Sequence, residues 1–211
     1  MKDVSHYRSL GRRALKAAFQ ASPFSTRGRK QDSFRVAYRS TGEPAVAGSE
    51  CRASIAHTRG WGVGAVSSHS IGVDIERVRA RAYEKDLIRY ITYPKEQTRA
   101  KLAGESRARA IAILWVVKES VRKCLGVKRA ISPLELVIER RVGEVFFVKW
   151  RQDDSWYEAH VRKQEDMYIA VACSVRYTNP EEITCRVMRE VILGRDIYIQ
   201  SYPNKPLFTY F

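Results

Sequence analysis

Asp74 and Glu76 stand two residues apart in IGVDIERV, residues 71–78, with Arg77 directly behind them. The segment has the composition of a short buried strand, and residues i and i+2 of a strand point to the same face. Both carboxylates therefore project into one spot at the strand's end. Two acids held that close repel each other, and burial worsens the repulsion unless a proton or a cation intervenes. Local arginines would supply that cation with no chemistry attached. A hard divalent ion such as Mg²⁺ takes oxygen ligands and sits between carboxylates and substrate phosphates. The spacing alone leaves both readings open.

A second group of reactive residues lies in RAIAILWVVKESVRKCLG, residues 109–126. At 100° per residue, Ile113, Leu114, Val117, Val121, Cys124 and Leu125 fall on one face, the spacing of a helical core stripe. Trp115, Lys118, Glu119, Arg122 and Lys123 fall in an arc on the other side. Gly126 is placed to end the helix. A large aromatic beside a carboxylate and lysines argues that this polar face meets something other than water. A third site of interest is His57, next to a turn in CRASIAHTRGWGVGAVSS, residues 51–68. A lone histidine carries no function by itself, and the glycines of GWGVG read as hairpin residues, since nothing after them looks helical.

The remaining elements must position these residues. Residues 5–20 read as a helix, with Ser5 as its cap and Leu10, Ala14, Ala17 and Ala18 as the apolar stripe. Residues 21–34 form a basic loop, 35–40 a short strand, and TGEPAVAG a turn built on Gly42 and Pro44. A hairpin is expected from strands at 52–56 and 61–67. Residues 79–109 read as basic and mostly helical, broken at Pro94, with Lys95 and Glu96 starting a new helix. Four alternating segments at 132–140, 144–151, 156–163 and 167–175 predict an antiparallel meander. The tail from Tyr177 onward carries one apolar run and an aromatic end with no assigned role.

With 211 residues, 45% of them hydrophobic, the chain can bury a proper core as one large domain or two small lobes. Its formal charge of +15 implies an anionic partner such as nucleic acid, a phosphate-rich small molecule or an acidic protein. No apolar run reaches bilayer length and the first residues lack a signal-peptide core, so a cytoplasmic protein away from membranes is expected. Cys51, Cys124, Cys173 and Cys185 form no CxxC pair and read as reduced thiols.

SIAHT (54–58), IGVDIE (71–76) and WVVKESVRK (115–123) stand in a fixed order, and together they resemble the Sfp-type 4′-phosphopantetheinyl transferases, with likeness continuing through MYIAVACS and NPEEIT. The resemblance implies an α+β fold, a pseudo-dimer of two similar lobes, each a small antiparallel sheet packed with helices, with the active site in the cleft between them. The lobes would be residues 1–69 and 70–178, followed by a tail at 179–211. It implies transfer of the 4′-phosphopantetheine arm of coenzyme A to a serine of an acidic acyl or peptidyl carrier protein by a monomer, with no stable nucleic-acid partner. Asp74, Glu76 and Glu119 would bind Mg²⁺, with Mn²⁺ as an alternative. His57, Lys118 and Lys123 would contact the coenzyme A phosphates, and Glu119 would be the base. The chain departs from the family pattern at Glu43, where a basic residue is common, at Ala56 and at Val116. It also has a shorter segment before the first helix, and Arg27, Arg29 and Lys30 are expected to supply the missing phosphate contacts. Two further readings fit the charge: a degenerate transferase that binds coenzyme A or carrier without turnover, and a basic nucleic-acid-binding protein.

Overall fold

The computed structural model describes residues 4–25, 34–79, 84–126, 131–175 and 197–202. The chain divides into two compact units, Met1–Ile71 with Arg176–Phe211, and Gly72–Val175. Among the described residues, the first places one helix and the second three on a small antiparallel sheet, the α+β class expected from the sequence.

In the first unit, helix α1 (Val4–Gln20) packs on a three-stranded sheet. That sheet contains β3 (Arg52–Thr58), β4 (Trp61–Ser67) and β10 (Ile197–Tyr202) in the order β10-β4-β3. Ser5, expected to cap α1, falls inside its first turn. Leu10, Ala14, Leu15 and Ala18 are buried against the sheet, the periodic face that made the helix legible. β4 comes so close beneath them that a side chain on Gly62 or Gly64 would overlap the backbone of Leu10 or Leu15. A separate ribbon pairs β1 (Val36–Tyr38) with β2 (Pro44–Val46). The sequence reading made residues 44–46 part of a turn; their extended backbone instead continues past Gly42, whose φ of +85° makes the bend. Glu43 sits in that bend, 3.5 Å from Arg52 and 3.9 Å from Arg39. β10 is the element that sequence reasoning missed altogether.

In the second unit a five-stranded sheet runs β5-β9-β8-β7-β6. Its strands are β5 (Ile71–Arg77), β6 (Leu136–Val142), β7 (Val145–Trp150), β8 (Trp156–Gln164) and β9 (Met167–Val175). β6 to β9 form the expected antiparallel meander. Residues 133–135, expected as the start of a strand, make a 3-10 turn begun by Ser132 and Pro133. Helices α2 (Glu84–Ile91) and α3 (Pro94–Arg99) precede the long helix α4 (Arg107–Leu125). Ser106 caps α4 by accepting from the Arg109 amide, and Gly126, at φ 65° and ψ 22°, ends it. Leu114, Val117 and Val121 are fully buried under Ile138, Phe146, Val148 and Ala170. Each such side chain contributes about 1.5–3 kcal/mol by leaving water. Cys51, Cys124 and Cys173 are buried, and Cys185 lies outside the described residues. No helix among the described residues is long and apolar enough to cross a membrane.

Candidate active site

The site in the second unit is made by α4 lying across β5. Gly72, Asp74 and Glu76 share one face of the strand by alternation. At Gly72 a Cβ would overlap the Ser120 carbonyl and the Cys124 amide of α4. The missing side chain lets helix and strand backbones touch, and that contact puts Asp74 within reach of the next turn of α4. Lys123 Nζ donates to Asp74 Oδ1 at 2.7 Å and to the Val73 carbonyl at 3.0 Å.

Glu119 lies one turn before Lys123 on the same helix. It accepts a bidentate pair from Arg122, with Nη2 to Oε2 at 2.6 Å and Nε to Oε1 at 2.9 Å. Those hydrogen bonds hold Arg122 above the ordinary arginine value, reinforced by the charges of Glu119 and Asp74. Glu76 faces Arg79 at 3.5 Å. Of the local arginines expected to balance the acids, Arg79 does so for Glu76, while Arg77 points to the opposite face and pairs with Asp166 at 3.1 Å. The positive charge around the acids therefore comes chiefly from α4, from Lys123 and Arg122, and not from the strand's own arginine.

Asp74 is 8% exposed. Burial pushes its carboxyl up to about 6, Lys123 pulls it back, and the charges of Glu119 and Glu76 push it up again. The three acids thus form one electrostatic group in which Asp74 is buried and Glu76 and Glu119 are half-buried. Their hard oxygen donors fit an ion of the Mg²⁺ type. Among the described residues, however, no three His, Cys, Asp or Glu side chains converge around a single point. The oxygens of Asp74, Glu76 and Glu119 are turned toward Lys123, Arg79 and Arg122.

Lys118 corrects the sequence reading. It was placed on the open polar arc as a coenzyme A phosphate contact, but it is 2% exposed. Its Nζ lies 2.8 Å from Glu96 Oε1 and donates to the Pro133 carbonyl at 3.0 Å. A helical wheel gives an angle only, and the long stem of Lys118 carries its ammonium back under the helix to an acid 22 positions earlier in the chain. Burial pushes this ammonium below the ordinary lysine value, while Glu96 pulls it back. Glu96, 1% exposed, is the residue that sequence reasoning missed. Its only signal was a position two residues after Pro94 at a helix start, where an acid reaches back to the preceding amide.

His57 belongs to the first unit, exposed on β3 opposite Gly62 of β4. Arg27, Arg29 and Lys30 lie outside the described residues. The structure thus brings together Asp74, Glu119 and Lys123, with Glu76 as an electrostatic neighbour, and turns Lys118 away.

Residues 70–173, just under half of the chain, match the family model described as ACPS, the 4′-phosphopantetheinyl transferase superfamily. That stretch contains β5, α4 and every residue of the acidic group. No curated protein matches the chain.

Proposed function

Taking the match over residues 70–173 as premise, we propose that this protein transfers the 4′-phosphopantetheine arm of coenzyme A to a serine of an apo acyl or peptidyl carrier protein, releasing 3′,5′-ADP. The observation that carries the reading is the acidic group on β5 and α4, with Lys123 inserted beside buried Asp74. The serine oxygen bonds to the phosphorus that bears pantetheine. The bridging P–O bond breaks, and its electron pair leaves with 3′,5′-ADP.

Such a transfer needs charge neutralisation and positioning more than covalent catalysis. Lys123 offers an ammonium to the pyrophosphate. Glu119 takes the serine proton, since a neutral hydroxyl is a weak nucleophile. Asp74, Glu76 and Glu119 would hold Mg²⁺, with Mn²⁺ as the alternative; once bound, the ion neutralises charge developing on the phosphate oxygens. His57, Arg27, Arg29 and Lys30 are assigned to the coenzyme A phosphates. An acidic carrier suits a chain of net charge +15, which steers anionic partners toward it. We place the protein in the cytoplasm as a monomer serving such carriers.

The test follows both products. The full chain is incubated with an apo carrier, coenzyme A and Mg²⁺, and 3′,5′-ADP is quantified beside the carrier's mass. Equal amounts of 3′,5′-ADP and pantetheinylated carrier support the reading. Tight coenzyme A binding without either product would favour a degenerate transferase. Retention on nucleic acid that collapses with salt, without coenzyme A binding, would favour the basic nucleic-acid binder.

A further inference from the structure

The buried pair Lys118–Glu96 lies outside the roles just assigned, yet it adjoins them in sequence: Lys118 immediately precedes Glu119. Glu96 gathers donors from four directions. Its Oε2 accepts from Thr92 Oγ1 at 3.0 Å, the Tyr93 amide at 2.7 Å and Lys118 Nζ at 3.1 Å, and its Oε1 accepts from the Ile138 amide at 2.7 Å. Lys118 adds the Pro133 carbonyl. One carboxylate and one ammonium therefore tie α4 to the start of α3, to the 3-10 turn and to β6.

The apolar stripe of α4 turns one face of the helix to the sheet but leaves its fine rotation open. Leu114, Val117 and Val121 join one core with side chains of β7 to β9, and hydrophobic contact is non-directional. A buried ion pair differs, because it repays its desolvation only at one geometry. Lys118 is one residue from Glu119 and five from Lys123, so about 100° and 140° around the helix axis respectively. Whatever pins Lys118 therefore pins the other two on the side facing β5.

We propose that Lys118 and Glu96 are a positioning pair that sets the rotation of α4 and so presents Glu119 and Lys123 to Asp74, and that Lys118 does not contact the substrate. The catalytic half of this statement rests on the transferase reading; the geometric half does not. Glu96 acts from within the core, and its loss reaches the site through the helix.

Lysine labelling of the full chain with an amine-specific reagent, read residue by residue by mass spectrometry, tests the geometric half. In the wild-type protein Lys118 reacts only through local opening, at least about tenfold more slowly than exposed Lys101, with or without coenzyme A. In Lys118→Met/Glu96→Gln, which removes both charges, Lys123 loses its fixed place beside Asp74 and labels at least about threefold faster than in the wild type. Phe146→Leu, a core variant on β7, serves as the control and leaves Lys123 unchanged. Labelling of Lys118 at the Lys101 rate, or an unaltered Lys123 rate in the double variant, overturns the proposal. Transfer kinetics supply the second arm: kcat of the double variant falls, and KM for coenzyme A rises no further than in Lys123→Ala, which removes the displaced ammonium itself. A KM well above that of Lys123→Ala would make Lys118 a substrate contact and also overturn it. If wild-type protein transfers nothing, the function fails, while the labelling result still decides the pair.

Discussion

Replacing Gly72 by alanine tests whether one missing side chain sets the distance between β5 and α4. The added Cβ would overlap the Ser120 carbonyl oxygen and the Cys124 amide nitrogen, and would stand 3.0 Å from the Ser120 carbonyl carbon. Carbon atoms settle about 3.5–4.0 Å apart, so the helix must withdraw by about 1 Å. No rotamer relieves the clash, because the opposing atoms are helix backbone. Withdrawal by that amount stretches the Lys123–Asp74 contact from 2.7 Å to about 3.7 Å, beyond hydrogen-bond range. Overpacking costs about 1–3 kcal/mol, and losing a hydrogen bond between charged groups about 1.5–3 kcal/mol more. Release of Asp74 from burial offsets part of the second term, leaving about 3 kcal/mol. For a chain of this size that lowers Tm by about 6–12 °C. Thermal unfolding of the full chain followed by circular dichroism measures it directly. A Tm within about 2 °C of the wild type would refute the close approach and with it the placement of Lys123.

Two further expectations follow from the same geometry. Asp74 has a folded-state pKa near 6 against an ordinary 3.8, so the folded protein holds a proton that the unfolded chain has lost. Relative to Asp74→Asn, wild-type stability should fall as pH rises through that window, by about 3 kcal/mol in all, and stay level above it. Urea titrations in chelator-treated buffer check this; a wild type that gains on the variant over the same range contradicts the sign. Deleting residues 197–211 removes β10 and leaves the hydrogen-bonding edge of β4 open. The truncated chain should melt lower and aggregate more readily, as light scattering during a thermal ramp would show, whereas unchanged melting would contradict the pairing of β10 with β4.

Much of the fold was legible because single elements carry periodic signals. The stripe of Leu10, Ala14 and Ala18 gave α1, and Ile113, Leu114, Val117 and Val121 gave α4 with Gly126 at its end, while its cap Ser106 was visible only in the structure. The meander was readable from alternation along β7 to β9. What escaped depends on partners distant in sequence. β2 hid behind the turn signal of Gly42 and Pro44, and pairing with β1 overrode it. β10 is defined by hydrogen bonds to β4, at least 130 positions earlier in the chain, and the strand-forming Ile197, Tyr198, Ile199 and Tyr202 were too short a run to stand out without that partner. In the site, Asp74, Glu119 and Lys123 stood out through the likeness of IGVDIE and WVVKESVRK to a family pattern, since the spacing of the acids alone left plain ion pairing equally open. Lys118 was misplaced because its burial depends on Glu96, whose tertiary role has no local signature.

The most direct measurement is the mass of an apo carrier protein after incubation with the full chain, coenzyme A and Mg²⁺, set beside the same reaction with Asp74→Ala and with Glu119→Gln. The expected result is a gain of one phosphopantetheine arm with the wild-type protein. Both variants should remain folded and lose that gain, since each removes one acid of the group on β5 and α4. Modification that persists undiminished in both variants would contradict the assignment of chemistry to this site. Carriers left unmodified by the wild-type protein would contradict the function itself.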